Sequence, residues 1–131
     1  MSRTDLIADT FTMIRNASMA KKENLDVPSS NAMTSILGIL KQEGYIDNFK
    51  QIEDKKQGIL RIYLKYIANK PAIRNIKRIS RPGLRVYAKT DKIPSVLRGR
   101  GLAIISTSRG IKTDKQAKES KLGGEIIGYI W

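Results

Sequence analysis

Apolar positions in the first third of the chain follow a helical and then an extended spacing. Ile7, Phe11 and Ile14 recur along one helix face, and Asp5 is suited to the positive N-terminal end of that helix. Apolar residues at both ends of segment 25–27 then predict a short strand. We therefore expect a helix from about residue 5, followed by a strand.

A second helix is predicted from apolar residues three and four positions apart. They are Met33, Ile36, Leu37 and Leu40. Ser29 or Ser30 is suited to cap this helix, and Gly44 to end it. Gly38 inside the helix costs about 1 kcal/mol relative to alanine. We therefore expect another element to pack closely against it.

Alternating apolar and polar residues next predict a hairpin. Its strands are expected at residues 45–52 and 59–66, joined by a polar turn at residues 53–58. In the second strand, apolar residues such as Leu60 and Ile62 alternate with basic and aromatic ones. One face of the hairpin should therefore be core, and the other partly basic.

A change in charge divides the chain. Residues 1–66 contain 10 basic and 8 acidic residues, whereas residues 67–131 contain 15 and 4, a net charge of +11. The turn-prone segment 68–71 lies at this change. The sequence therefore predicts two domains, residues 1–67 and residues 68–131, and the second is expected to attract polyanions.

The second domain is predicted to be mainly β. The expected elements are a strand at residues 84–89 with Leu84, Val86 and Ala88 on its inner face, a central strand at 102–105, a helix at 114–122 capped by Thr113, and a closing strand at 125–130. Gly99-Arg100-Gly101 is expected to be a flexible entry to the central strand. The fold class is therefore α+β: an N-terminal α/β domain (helix-strand-helix-strand-strand) and a mainly β C-terminal domain with a short helix.

Several classes of function are excluded or disfavoured. The chain contains no cysteine and no histidine, so thiolate or imidazole metal sites and His general bases are absent. No segment approaches the roughly 20 apolar residues of a membrane span, and residues 1–5 lack the pattern of a signal peptide. We expect a non-enzyme with no cofactor, small-molecule substrate or membrane partner, working in the compartment where it is made.

Two segments are candidates for RNA binding. Arg85, Tyr87 and Lys89 should share one strand face, where cations neutralise phosphates and a ring stacks on a base, although an ordinary solvated face has the same composition. Arg81 precedes this strand in a Pro-Gly turn. Beyond the central strand come three hydroxyl residues and a glycine turn, Ser106, Thr107, Ser108, Arg109 and Gly110. Hydroxyls suit ribose and base edges, but they also satisfy turn amides.

Glu125 is the acidic candidate. It follows Gly123-Gly124 in the basic half, and it is suited either to accept a base amino group or to orient a neighbouring cation.

A DNA-coating architectural protein is the first alternative function. It should not discriminate against DNA, whereas the hydroxyl residues predict dependence on ribose 2′-hydroxyls. An enzyme using carboxylates or lysine is the second alternative, but no base-and-nucleophile constellation is present.

Five strings in order along the chain carry a family resemblance. They are Ile14-Arg15-Asn16, Arg81-Pro82-Gly83-Leu84-Arg85-Val86-Tyr87, Ser106-Thr107-Ser108-Arg109-Gly110, Thr113-Asp114 and Gly123-Gly124-Glu125. With them the chain closely resembles, essentially end to end, the bacterial-type small-subunit ribosomal protein 8 family. The sequence departs from the usual family pattern at Leu6, Met13 and Arg100. Met13 puts a phosphate contact from the first helix in doubt.

The resemblance implies a structural constituent of the small ribosomal subunit. Such a protein binds the central domain of small-subunit rRNA, helps to organise assembly of the platform and touches neighbouring small-subunit proteins. By the same resemblance, Ser106, Thr107 and Ser108 enter the minor-groove side of an irregular RNA helix, with Tyr87 and Glu125 nearby. The resemblance also implies that the first domain touches a second RNA segment through Arg15, Asn16 and Ser30. The expected location is the ribosome of the cytoplasm or of an organelle that encodes its own ribosomal proteins.

Overall fold

The computed structural model describes residues 5–53 and 58–131. The helices within them are α1 (Leu6–Met19), α2 (Asn31–Gln42) and α3 (Asp114–Glu119). The strands within them are β1 (Asn24–Pro28), β2 (Ile46–Ile52), β3 (Ile59–Leu64), β4 (Tyr66–Ile67), β5 (Lys70–Pro71), β6 (Ile76–Arg78), β7 (Tyr87–Ala88), β8 (Leu102–Thr107), β9 (Gly110–Thr113) and β10 (Gly124–Ile130). Helices combined with antiparallel sheets confirm the predicted α+β class.

Contacts group the chain into two compact units. Residues 9–74 form the first unit, and residues 75–131 together with residues 5–8 form the second unit. The division of the sequence after residue 67 into two domains remains a prediction.

The helix ends follow the capping rules used on the sequence. Met33 N–H donates to Ser30 Oγ over 3.1 Å, so the predicted cap of α2 is present and Ser30 is the capping serine. Ala8 N–H donates to Asp5 Oδ1 over 3.1 Å, so Asp5 lies at the N-terminal end of α1 as predicted and also caps it. Gly44 adopts a positive φ of 81° just after α2. There Tyr45 N–H donates to Leu40 O, the hydrogen bond typical of a glycine-terminated helix.

The first unit contains a three-stranded antiparallel sheet. Its strand order is β1-β3-β2, so β3 is central. Leu60, Ile62 and Leu64 are buried, and the intervening residues of β3 are only partly buried, which confirms the predicted alternation. The predicted polar turn between β2 and β3 falls largely on residues 54–57, which lie outside the described residues.

The predicted strand at residues 59–66 ends two residues early, at Leu64. Tyr66–Ile67 instead pairs with Lys70–Pro71 in a separate small hairpin. Ala68 and Asn69 between these strands both have positive φ, 51° and 66°, as a type I′ turn requires. The turn predicted at residues 68–71 is therefore present, but as the tip of a hairpin.

The second unit is organised around β10. Strand β8 pairs along one edge of β10, and β6 and β7 pair with two separate parts of its opposite edge. Strand β9 pairs with the far edge of β8. Strand β8 is thus interior in the sheet, and residues 102–105 are buried, which confirms the predicted central strand.

One face of this sheet is covered by a hydrophobic cluster. It consists of Ile93, Val96, Ala103, Ile105, Ala117 and Ile126. Because Ala117 belongs to α3, that helix covers the cluster face of β8 and β10. Thr113 caps α3 as predicted, by accepting a hydrogen bond from Gln116 N–H, and the Gln116 side chain accepts from Thr113 N–H in return.

Three predictions about the second unit were wrong in detail. Leu84 is 70% exposed instead of facing the core, because Arg81 and Leu84 exchange two backbone hydrogen bonds around Pro82-Gly83 and so place Leu84 in a turn. Helix α3 ends at Glu119 instead of residue 122, with Lys121 left-handed just beyond it. Gly101 is tightly enclosed, since a Cβ there would lie 2.5 Å from Val96 Cγ1. The predicted flexible entry to the central strand is therefore a packed one.

Close packing at Gly38 was also predicted wrongly. A Cβ built there meets nothing within 4 Å, so the residue weakens α2 without the packing benefit that was expected.

Gly38→Ala should therefore raise the free energy of unfolding by about 0.5–1 kcal/mol, the difference in helix propensity between glycine and alanine. Chemical denaturation of the purified protein measures this. Gly44→Ala is the matched control, because its Cβ also meets open space apart from Lys65 Nζ at 3.6 Å. Its positive φ should make alanine unfavourable by about 1–2 kcal/mol. Destabilisation by Gly38→Ala would show that something does occupy that side of the helix.

Candidate RNA interface

Three of the candidate residues form a row across the sheet of the second unit. Glu125 on β10 pairs with Tyr87 on β7 and with Ser106 on β8. Residues that are directly opposite in antiparallel strands point to the same face. Tyr87, Glu125 and Ser106, hereafter the recognition row, therefore lie side by side on one face. The neighbouring pair, Ile105 and Ile126, belongs to the hydrophobic cluster, so the row faces away from that cluster and from α3.

Two glycines allow this row to form. A Cβ on Gly123 would lie 2.5 Å from the Ala88 carbonyl oxygen, and a Cβ on Gly124 would clash with the Ser106 carbonyl. The backbone of β10 therefore passes between β7 and β8 at a separation that no other residue type permits. This close approach fixes the spacing between Tyr87, Glu125 and Ser106.

The Glu125 carboxylate is held by two donors. Ser80 Oγ–H and Arg85 Nη1 both donate to Glu125 Oε2, the second over 2.9 Å. Ser80 Oγ in turn accepts from Val86 N–H over 3.1 Å. Glu125 is thus an orienting partner for Arg85, which is one of the two roles considered from the sequence.

The environment also sets the charge of Glu125. Burial raises the pKa of this carboxyl, but the hydrogen bonds from Ser80 and Arg85 and the charges of Arg85 and Arg78 together lower the pKa below its ordinary value. The same ion pair raises the pKa of Arg85. Glu125 is therefore ionised at neutral pH and acts only as a hydrogen-bond acceptor.

The hydroxyl segment divides into two kinds of residue. Thr107 Oγ1–H donates to Gly110 O over 2.7 Å and the same oxygen accepts from Arg109 N–H over 3.1 Å, so this hydroxyl supports the turn. Gly110 has a φ of 103°. Ser106 is partly buried and Ser108 is exposed, and neither hydroxyl has a hydrogen-bond partner among residues 5–53 and 58–131. RNA contacts by Thr107 and Gly110 remain predictions.

Basic side chains surround the recognition row. Arg81, Arg85 and Lys89 are exposed, and Tyr87 is 69% exposed. Arg81 also lines a shallow cleft of about 470 Å³ together with Lys77, Arg78, Ile79, Gly83 and Leu84. The exposed ring and the flanking cations are suited to a stacked base and its phosphates.

Arg78 has a different environment from these surface cations. Its side chain is only 9% exposed. It donates to Asp5 Oδ2 over 3.1 Å and to Ile127 O over 2.9 Å. Arg78 therefore stabilises the second unit through its own contacts.

The candidate residues of the first unit lie on its helices. Arg15 and Asn16 are consecutive exposed residues of α1, and Ser30 is the N-cap of α2. The Ser30 hydroxyl accepts from Met33 N–H, which leaves its proton and a second lone pair for a ligand. RNA contacts by these residues remain predictions.

Sequence reasoning missed Ser80, which is fully buried beneath Glu125. No spacing or composition signal marks it, because its importance comes from a side-chain hydrogen bond to Glu125, 45 residues away in sequence. Among the described residues, no cluster of three or more metal-ligating His, Cys, Asp or Glu occurs. Nor does any helix in that part of the chain have the length and apolarity needed to cross a membrane.

The pKa of Glu125 leads to a prediction about acid stability. A carboxyl whose pKa is lowered by folding adds stability above its ordinary pKa, and loses it as pH falls through the lowered value. The protein should therefore be more stable than its Glu125→Gln variant at pH 7, and this advantage should shrink steadily as the pH falls below the ordinary pKa of a glutamate side chain. Thermal unfolding of both proteins at several pH values measures it. Asp26→Asn is the control, because the Asp26–Arg61 pair is 43% and 40% exposed and such pairs contribute little. A stability difference for Glu125→Gln that does not change with pH would contradict the argument.

Comparisons with known proteins show the family to which the chain belongs. A family model described as "Ribosomal protein S8" matches residues 5–131. Curated proteins named "Small ribosomal subunit protein uS8" are similar over the full length of both chains: those of Geobacter metallireducens and Alkaliphilus oremlandii are 58% and 59% identical, and that of Streptococcus suis is 56% identical. The fold, the recognition row and these matches lead to one conclusion: the chain belongs to the ribosomal protein S8 family.

Proposed function

We propose that the chain is a structural constituent of the small ribosomal subunit and a primary binder of the central domain of its rRNA, where it helps to organise assembly of the platform. The first part is supported by the family match and by relatives named as small-subunit proteins. A ribosomal family is also one of non-enzymes, in agreement with the absence of a catalytic constellation in the sequence. The bacterial relatives favour a cytoplasmic ribosome.

The observation that carries the RNA-binding proposal is the recognition row. It combines an exposed aromatic ring, an ionised carboxylate and a hydroxyl that has no hydrogen-bond partner within the described ranges, at fixed spacing on a sheet. The Tyr87 ring stacks on an unpaired base, and the Ser106 hydroxyl both donates to and accepts from a ribose 2′-hydroxyl or a base edge. Ser108 extends this surface into the turn.

Glu125 adds selectivity to the row. Its two hydrogen bonds to described residues both go to Oε2, and Oε1 accepts from RNA in this proposal. A carboxylate repels phosphate, and it therefore belongs in an RNA interface only where a donor such as a 2′-hydroxyl or an exocyclic amino group meets it. DNA lacks the first of these donors.

Electrostatic attraction precedes this recognition. The second half of the sequence carries a net charge of +11, and Arg81, Arg85 and Lys89 are exposed beside the row. Long-range attraction speeds encounter with RNA but does not select a sequence. Arg15, Asn16 and Ser30 of the first unit contact a second RNA segment in this proposal, and neighbouring small-subunit proteins are further partners.

RNA binding is tested with a fragment of the small-subunit rRNA central domain and a duplex DNA of equal length. We expect selective binding to the RNA, and a loss of about tenfold or more in affinity for Ser106→Ala/Ser108→Ala, because each hydroxyl contributes about 0.5–1.5 kcal/mol as a hydrogen-bonding group. Ser35→Ala/Ser120→Ala is the matched control, since both serines are exposed and lie outside the recognition row. This control should bind as the unchanged protein does.

Salt dependence separates attraction from recognition in the same assay. The affinity should fall with salt, with a log–log slope of about 0.7–0.9 for each phosphate contacted. The serine variant should keep this slope, because it removes no charge. Equal affinity for DNA and RNA, unchanged in the serine variant, would favour an architectural DNA-coating protein instead.

A further inference from the structure

We propose that Ser80 is a positioning residue for RNA binding: from beneath the sheet face, it holds Glu125 and, through Glu125, Arg85 in the orientation that meets RNA. The inference rests on the proposed function and deepens it. Ser80 itself is fully buried, so it has no access to RNA and acts only through the residues above it.

The hydrogen bonds around Ser80 form an ordered chain. Val86 N–H donates to Ser80 Oγ over 3.1 Å, and Ser80 Oγ–H donates to Glu125 Oε2. Since an ionised carboxylate only accepts hydrogen bonds, the hydroxyl proton is the one that lies between Ser80 Oγ and Glu125 Oε2. One buried group thus acts as acceptor and donor at once, which alanine or glycine cannot do.

This chain joins two segments that carry RNA-facing side chains. Ser80 and Val86 flank the Arg81–Leu84 turn, and both also bond to the backbone of Ile126, through Ser80 N–H to Ile126 O and Ile126 N–H to Val86 O. Ser80 therefore connects the two ends of the segment that carries Arg81 and Arg85. Its hydroxyl also hydrogen-bonds to the Glu125 side chain, which in turn accepts from Arg85 Nη1 over 2.9 Å.

Glu125 needs this support because its two partners differ in exposure. The Arg85 side chain is 45% exposed, and water competes for its hydrogen bonds. Ser80 is shielded from water, so the hydrogen bond from its hydroxyl is the stronger of the two restraints on Glu125 Oε2. With Oε2 held, Oε1 keeps a fixed direction towards the ligand, and less conformational freedom is lost when RNA binds.

The experiment is a double-mutant cycle in the full chain, with binding to the rRNA central-domain fragment as the readout. Ser80→Cys keeps the side-chain shape, with a slightly larger atom, but replaces the hydroxyl with a weak donor and acceptor, and Ser80→Ala removes the group. Either change should weaken binding about tenfold. In a Glu125→Ala background the same changes should have an effect of less than about twofold, because Ser80 acts through the carboxylate.

A second readout distinguishes positioning from simple destabilisation. The Glu125 carboxyl titration, followed by NMR, should move to a higher pKa in Ser80→Cys, since the variant loses a hydrogen bond to the ionised form while the burial remains. Thr113→Val is the matched control, because Thr113 is a buried hydroxyl residue of the same unit that caps α3. It should lower stability but leave both RNA affinity and the Glu125 titration unchanged.

The outcomes separate this inference from the function on which it rests. If the unchanged protein shows no preference for the rRNA fragment, the proposed function fails and this inference fails with it. A different result is that the unchanged protein binds the rRNA fragment selectively while the folded Ser80→Cys variant binds it equally well, or while the effect of Ser80→Cys adds fully to that of Glu125→Ala. In either case only the role of Ser80 is overturned.

Discussion

The candidate interface depends on the close approach of backbones at Gly123-Gly124. Strand β10 enters the sheet between β7 and β8 where side chains would collide with the carbonyl groups of Ala88 and Ser106. Because the glycines permit this approach, Glu125 pairs with Tyr87 on one side and Ser106 on the other. Three residues that are distant in sequence thereby become adjacent on one rigid surface.

The same strands carry the hydrophobic cluster on one face and the recognition row on the other. Ile105 and Ile126 pack into the hydrophobic cluster with Ala117 of α3, while the adjacent pair, Ser106 and Glu125, faces the other way. Packing of the cluster therefore restrains the polar row directly. Such restraint favours a site that recognises the shape of RNA, since little order has to be gained on binding.

Much of the secondary structure could be predicted from the sequence, because interactions between neighbours along the chain determine it. The caps at Ser30 and Thr113 and the alternation in β3 depend on neighbours along the chain, and they were predicted correctly. The exposure of Leu84, the enclosure of Gly101 and the partners of Arg78 depend on tertiary contacts that no local pattern contains. At the site, the residue types pointed to RNA, but the pairing register and the buried hydroxyl of Ser80 required the structure.

The central claim is that RNA is recognised by the row on β7, β10 and β8, with the remaining basic surface acting at long range. Mapping of backbone amide chemical shifts by NMR during titration with the rRNA central-domain fragment tests this most directly. The account predicts that, within the second unit, the largest changes fall at Tyr87, Ser106 and Glu125 and in the turn at Ser108, with small changes along α3. Changes concentrated at Lys115 and Lys118 of α3, with the recognition row unaffected, would contradict it.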